Sequence, residues 1–132
     1  MIYKLFTSLY KHTNKAVIIA SLWTALIFVA CFIPGSSVPK VQLPLIDKWV
    51  HFFIFGGFSF LWYFVLKSPT WTKSICICLL ALGLGYAVEL VQGSGWVTNR
   101  SYELNDVIAD GIGGIIGIIM YVILFKIIDH NQ

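Results

Sequence analysis

Four long runs of apolar residues dominate the pattern of hydrophobic and polar positions along the chain. They cover residues 16–33, 49–66, 74–91 and 107–128. About twenty apolar residues in a helix cross the roughly 30 Å of hydrocarbon in a bilayer, whereas the strands of a membrane barrel are shorter and alternate in polarity. The pattern therefore predicts an all-α fold, a polytopic membrane protein built as a compact bundle of four transmembrane helices.

Composition supports this prediction and bounds the number of domains. The 132 residues are 58% hydrophobic and 11% charged, with a mean hydropathy of +0.84, whereas about a quarter of the residues of a soluble domain are charged. No linker, repeat or low-complexity tract divides the chain, so residues 1–132 are expected to form a single transmembrane domain. The lipid bilayer is its expected partner. A nucleic-acid partner is not expected, because no basic patch suited to one is present.

The basic residues divide unequally between the two ends of the predicted spans. Six of them flank one set of span ends: Lys4, Lys11, Lys15, Lys67, Lys73 and Lys126. The other three, Lys40, Lys48 and Arg100, flank the opposite ends. Cytoplasmic loops carry the excess of Lys and Arg in membrane proteins. The bias predicts that both termini are cytoplasmic and that the loops 34–48 and 92–106 face outward.

Polar side chains enter the spans in pairs, always at the ends predicted to face outward. Residues three or four positions apart share one face of a helix, and an isolated charge at the centre of a membrane helix costs at least about 2.5 kcal/mol. The paired residues are therefore expected to meet one another near the outer leaflet. The pairs are Asp47 with His51, Glu89 with Gln92, and Asp106 with Asp110.

The fourth span carries its acids on a glycine-rich face. Asp106, Asp110, Gly113, Gly117 and Tyr121 follow helical spacing and form one stripe. The two glycines form a G-x-x-x-G pattern, which permits close approach of another helix. The acids should therefore point into the bundle rather than toward lipid. The same glycine face could also serve a neighbouring protomer, so an oligomer formed through it is a further possibility.

Three stretches in register with the last three spans resemble the VanZ-like family. They read "DKWVHFFIFGGF", "VELVQ" and "NRSYELNDVIADGIGGIIG". The family is named for a protein associated with low-level resistance to teicoplanin, a glycopeptide that binds cell-wall precursors. One position departs from its pattern, since Asp110 stands where the family more often has Asn. The residues that carry the resemblance are Asp47, Lys48, His51, Glu89, Gln92, Arg100, Asp106, Asp110, Gly113 and Gly117.

The resemblance implies a place and a role. It implies a multi-pass protein of the bacterial cytoplasmic (inner) membrane that belongs to the cell envelope. Such a protein would act on, or shield, lipids or lipid-linked cell-wall precursors at the outer leaflet and contribute to glycopeptide resistance. Lipid-linked envelope precursors are therefore expected partners.

The polar residues also suggest chemistry of their own. A histidine and a carboxylate can act as general acid and base, and basic side chains can bind phosphate. Two alternatives to the envelope role stay open. One is an intramembrane hydrolase or transferase acting on a lipid-linked substrate, and the other is a small transporter or a structural subunit whose acids hold the helices together. On the structural alternative, Arg100 would pair with Glu103 or Asp106. The candidate catalytic residues are Asp47, His51, Glu89, Asp106 and Asp110, and the candidate substrate-binding residues are Lys48, Gln92 and Arg100.

No cofactor is required by these motifs, although the acids at the outer ends exceed the bases by two when all are ionised. That excess could be offset by a hard divalent metal bound by carboxylates, with His51 as a further ligand, or by protons shared among the carboxyl groups. The cysteines do not suggest a metal site. Cys76 and Cys78 point to opposite sides of one helix, and Cys31 lies at the other end of the bundle.

Overall fold

A computed structural model describes residues 2–38 and 44–130, and this part of the chain is all-helical. Lys40, one of the three predicted outer basic residues, lies outside the described residues. The helices are α1 (Ile2–Lys11), α2 (Thr13–Phe32), α3 (Ile46–Leu66), α4 (Trp71–Gly93) and α5 (Leu104–His130), with one turn of 3-10 helix at Gly35–Ser37. Helices α2 to α5 are long and apolar enough to cross a membrane. The prediction of four membrane-spanning helices in an all-α fold is confirmed.

The long helices mostly extend beyond the apolar runs that predicted them. Helix α3 begins at Ile46 and α5 at Leu104, each three residues earlier than predicted. Asp47, Lys48 and Asp106 therefore lie in the first turns of helices rather than in the preceding loops. A helix satisfies its own backbone polar groups, which lipid cannot do, so the helical backbone continues through these polar positions to the end of the bundle.

Helix α1 is the element that the apolar runs do not predict. Its ten residues are too few to span a bilayer, but Phe6 and Leu9, three positions apart, are buried while Leu5 is exposed. The Phe6 ring lies 4.8 Å from Phe64 and 5.7 Å from Tyr121, measured between ring centroids. Helix α1 is therefore a short amphipathic helix that covers the ends of α3 and α5.

Helices α3 and α5 share the most extensive interface of the bundle, and glycines make it possible. A Cβ at Gly113 would overlap the carbonyl oxygen of Phe52, and a Cβ at Gly117 would overlap that of Gly56. The G-x-x-x-G face of α5 therefore packs against α3 of the same chain. These contacts occupy the face that an oligomer was predicted to use, and the oligomeric state stays a prediction.

The bundle has two chemically different ends. The acidic end, where α2 and α4 finish and α3 and α5 begin, carries five of the six acidic residues: Asp47, Glu89, Glu103, Asp106 and Asp110. The lysine end, where α3 meets α4, carries most of the lysines and a core of aromatic side chains. There the Tyr121 hydroxyl donates to the Lys67 carbonyl at 2.9 Å, and the Tyr63 hydroxyl lies 2.6 Å from that of Ser74. Between the two ends, hydrogen bonds from indole N–H groups connect α2 to α3. Trp23, for example, donates to the Ile54 carbonyl at 2.7 Å.

Candidate functional site

Three helices bring one histidine and three acids together inside the acidic end. Helix α3 contributes His51, α4 contributes Glu89, and α5 contributes Asp106 and Asp110, each from a turn that faces the other two helices. Their exposed fractions are 3%, 0%, 5% and 0%. Buried ionisable groups are normally paired, so the contacts among these four side chains, which we call the buried cluster, define the site.

The shortest contact in the buried cluster joins His51 to Asp110. The Nδ1 atom of the imidazole lies 3.0 Å from Oδ1 of the aspartate. When Asp110 is ionised its carboxylate can only accept a hydrogen bond, and Nδ1 then carries the proton and donates it. The imidazole also stacks with the ring of Phe55, which lies nearly parallel to it at a centroid distance of 6.3 Å. The position and tautomer of His51 are therefore both constrained.

The other imidazole nitrogen faces two carboxylates. His51 Nε2 lies 3.9 Å from Oε1 of Glu89 and 3.9 Å from Oδ2 of Asp106. These separations are too long for direct hydrogen bonds. Nε2 of His51 and these two carboxylate oxygens, which come from three different helices, are therefore neighbours without being directly hydrogen-bonded.

Three carboxylate oxygens of the buried cluster have no hydrogen-bond partner among the described residues, and one of them, Oδ1 of Asp106, lies 3.0 Å from the Lys48 ammonium. One oxygen of Glu89 accepts from the backbone N–H of Glu103 at 2.8 Å, but Oε1 has no donor. Oδ2 of Asp110 likewise has none. It lies against Gly85, where a Cβ would overlap the carboxyl group. An unsatisfied buried polar atom in a native protein calls for a functional or solvent partner.

A more exposed ion-pair network covers the buried cluster. The Lys48 ammonium lies 2.5 Å from Oδ2 of Asp47 and 3.0 Å from Oδ1 of Asp106, and it also contacts Glu103. Asp47 and Glu103 are 39% and 45% exposed in their side chains, whereas Asp106 is 7% exposed. Asp106 therefore links the network to the buried cluster.

Two of the predicted binding residues contact a different helix. Gln92 is buried and donates from Nε2 to the Cys31 carbonyl at 2.7 Å, and Arg100 donates from Nε to the Ile33 carbonyl at 3.4 Å. Both acceptors belong to the last turn of α2 and its cap, where a helix leaves carbonyl groups without partners. These side chains hold the end of α2 beside the site.

The predicted ion pair of Arg100 with Glu103 or Asp106 is wrong. Among residues 2–38 and 44–130 no carboxylate oxygen lies within 4.0 Å of the Arg100 guanidinium, and both acids pair with Lys48 instead. The reason is the end of α2, whose carbonyl at Ile33 lies beside the guanidinium. The loop between α4 and α5 packs there as well, because the Gly35 N–H donates to the Thr98 carbonyl at 2.9 Å.

Two polar residues, Glu103 and Ser59, were not among the candidate site residues predicted from the sequence. Glu103 precedes α5 in an irregular segment, so helical periodicity gave no sign that it would bind both Lys48 and, through its backbone, Glu89. Ser59 is fully buried with an unpartnered hydroxyl. It lies eight residues after His51, close to the same face of α3, and that spacing was the available signal.

Comparisons with known proteins identify the family of the chain. The family model described as VanZ/LLP1 matches residues 2–125, so the match extends beyond the last three spans to α1 and α2. One similar curated protein is the uncharacterized protein C11E3.10 of Schizosaccharomyces pombe. It is 26% identical over 120 residues, which cover 89% of this chain and 70% of the yeast protein. No solved structure matches the chain. The chain belongs to the VanZ/LLP1 family, as a multi-pass membrane protein.

Proposed function

We propose that this chain is a cell-envelope protein of the bacterial cytoplasmic membrane whose acidic end faces the outer leaflet. There it binds the polar headgroup of a lipid or of a lipid-linked cell-wall precursor, and this binding lowers susceptibility to glycopeptides of the teicoplanin type. Membership of the VanZ/LLP1 family supports the envelope role, and the excess of lysines at the opposite end supports the orientation.

The observation that carries the proposal is the pair of buried carboxylate oxygens, on Glu89 and Asp110, that have neither a hydrogen-bond donor nor a lysine beside them among the described residues. Acids that only held helices together would be expected to have partners, since an unsatisfied buried acceptor costs about 1–3 kcal/mol. Ionisable residues within membrane spans mark functional sites by default. Open acceptors on two helices that both contact His51 suit a ligand that brings hydrogen-bond donors or positive charge.

The ion-pair network above the buried cluster suits the rest of such a ligand. Lys48 is 18% exposed in its side chain, so its ammonium can reach a phosphate that approaches from the bilayer surface. Hydroxyl, amine or amide groups beyond that phosphate would then donate to the carboxylates. A phosphate-linked sugar or peptide headgroup combines these features, and it is the class of ligand that a cell-wall precursor presents.

Drug susceptibility tests the proposal directly. The chain is expressed in a glycopeptide-susceptible Gram-positive bacterium, and the teicoplanin concentration that inhibits growth is compared with that of an empty vector. The wild type should raise it, and His51→Ala and Glu89→Gln should return it to the vector value at equal membrane abundance. Asp129→Asn is the matched control, because Asp129 is the one acidic residue that lies at the lysine end of the bundle rather than at the acidic end. This variant should keep full protection. Full protection by folded His51→Ala and Glu89→Gln variants would refute the proposed role.

The contact between His51 and Asp110 favours one second candidate, an intramembrane hydrolase or transferase. A histidine oriented by a carboxylate through one nitrogen, with the other nitrogen free, is the arrangement of a general base. Protein reconstituted in vesicles with a lipid pyrophosphate would be examined by mass spectrometry for release or transfer of the headgroup. Turnover that is lost in His51→Ala would support catalysis, and an unchanged lipid with the wild type would exclude it for that substrate.

A further inference from the structure

We propose that His51, Glu89 and Asp106 bind one divalent transition-metal ion of the Zn²⁺ or Mn²⁺ class, with Asp110 orienting the imidazole. This inference rests on the proposed role of the buried cluster as a ligand site. It names what the open carboxylate oxygen of Glu89 holds before any headgroup arrives.

The distances between donor atoms fit one ion. Nε2 of His51 lies 3.9 Å from one oxygen of Glu89 and 3.9 Å from one of Asp106, and one ligand atom of each of the three residues lies within 4.8 Å of the others. Two ligands bound about 2.1 Å from the same metal are about 3.4 Å apart at a tetrahedral angle and about 4.2 Å apart when opposite. An ion could therefore bind between the three atoms after shifts of a few tenths of an ångström.

The orientation of His51 is that of a metal ligand. Metal-bound histidines usually donate their second ring N–H to a carboxylate, which fixes the tautomer and makes the free nitrogen more basic. Asp110 makes this contact with Nδ1 at 3.0 Å, so the lone pair of Nε2 faces Glu89 and Asp106.

Charge distinguishes this set of residues from a neighbouring one. Asp47, Glu103 and Asp106 also place carboxylate oxygens within reach of a common ion, but the Lys48 ammonium already contacts all three. No lysine or arginine among the described residues contacts Glu89 or Asp110. The unpartnered Oε1 of Glu89 belongs to a side chain that is fully buried and directed at His51. Among the described residues only a protonated His51 could offset the charge of Glu89, and with a neutral imidazole a metal ion would do so instead.

The donor atoms indicate the class of metal. One imidazole nitrogen and two carboxylate oxygens form a mixed set that suits Zn²⁺ and Mn²⁺ better than Ca²⁺, which prefers oxygen donors alone. Three protein ligands also leave at least one coordination position open, as in metal sites that bind water or substrate. That open position is where an oxygen of a headgroup could coordinate.

Metal titration tests the inference. The full chain is purified in detergent with a streptavidin-binding tag rather than polyhistidine, stripped with chelator, and titrated with ZnCl₂ and with MnCl₂ by calorimetry. The expected stoichiometry is one ion per chain. Glu89→Gln and His51→Ala should lose the binding, and Asp110→Asn should weaken it by about tenfold or more, the usual effect of removing such an orienting partner. Asp129→Asn and His12→Ala, both remote from the acidic end, should bind like the wild type.

A spectroscopic measurement tests the same inference in a chain whose metal ligands are unchanged, so it does not depend on whether the ligand variants fold. In a chain carrying His12→Ala and His130→Ala, His51 is the only imidazole left. Bound Mn²⁺ should then show nitrogen hyperfine coupling in its electron spin-echo spectrum. Absence of a stoichiometric ion, or of the nitrogen coupling, would overturn the inference.

The two proposals fail in different ways. If the metal site is wrong but the proposed function is right, His51→Ala still loses teicoplanin protection while the wild type binds no ion. If the proposed function is wrong, the ion binds and protection is unaffected by the same substitutions.

Discussion

His51 and Asp110 lie 59 positions apart in the sequence, yet Nδ1 of one is 3.0 Å from Oδ1 of the other. Both side chains are buried, and they come from the two helices that share the largest interface. The contact therefore depends on how α3 and α5 pack against each other. Its contribution to the free energy of unfolding can be measured without any assay of function.

We expect His51 and Asp110 to be coupled energetically. In a double-mutant cycle with His51→Ala and Asp110→Asn, the coupling in the free energy of unfolding should be about 1 kcal/mol, since buried polar pairs in membrane bundles reach this size. The measurement is reversible unfolding in mixed detergent and SDS micelles. The cycle of His51→Ala with Asp129→Asn should be additive, because Asp129 lies about 28 Å from Asp110 along α5. Equal coupling in both cycles would contradict a direct contact.

We expect Gly117→Ala to destabilise the bundle. The added methyl group would overlap the Gly56 carbonyl oxygen and force α3 and α5 apart, and overpacking of this kind costs about 1–3 kcal/mol. Gly83→Ala is the matched control, because no atom of the described residues, apart from the adjacent backbone of its own helix, lies within 4 Å of the added Cβ. That substitution should be neutral or slightly stabilising, since Ala favours a helix more than Gly does. SDS titration followed by tryptophan fluorescence compares the two, and equal midpoints would argue against close packing at Gly117.

We expect Lys48→Met to weaken the acidic end in a salt-dependent way. Without the ammonium, Asp47, Glu103 and Asp106 repel one another, and the loss of stability should be about 1 kcal/mol at low ionic strength. Screening should reduce this loss at 0.5 M salt. Thermal unfolding in a neutral detergent measures the effect, with Lys126→Met at the lysine end as control. A loss of the same size at both salt concentrations would point to packing of the lysine chain instead.

We expect the loop before α5 to face outward and the loop between α3 and α4 to face the cytoplasm. Ser101 and Ser68 are exposed in these two loops. In a cysteine-free background, a membrane-impermeant maleimide should label Ser101→Cys in intact cells. It should label Ser68→Cys only after the membrane is made permeable. The reverse labelling would invert the orientation that the lysines predict and would place the acidic end in the cytoplasm.

The helices and the convergence of their acids could be predicted because both follow from local spacing. An apolar run of about twenty residues needs no knowledge of its neighbours to be a span. Asp106 and Asp110, four apart and on a glycine face, must point wherever that face packs. In the structure they point at His51 and Lys48. The chemical role assigned to them stays a prediction.

The partners of Gln92 and Arg100 could not be predicted, because they depend on how the loops pack. Helical spacing aligns Gln92 with Glu89, yet its amide reaches the end of α2 instead. Helix α1 was missed for a related reason. Its apolar face is too short to be recognised as a span, and that face packs against Phe64 and Tyr121, which come from distant parts of the chain.

The contacts of Gln92 and Arg100 with α2 bear on how the family can diverge. Both side chains bind main-chain oxygens, at Cys31 and Ile33, and every amino acid provides such an oxygen. The first span can therefore exchange most of its residues during evolution and still be attached beside the acidic end. Sequence identity among relatives should consequently fall in α2 well before the arrangement of the helices changes.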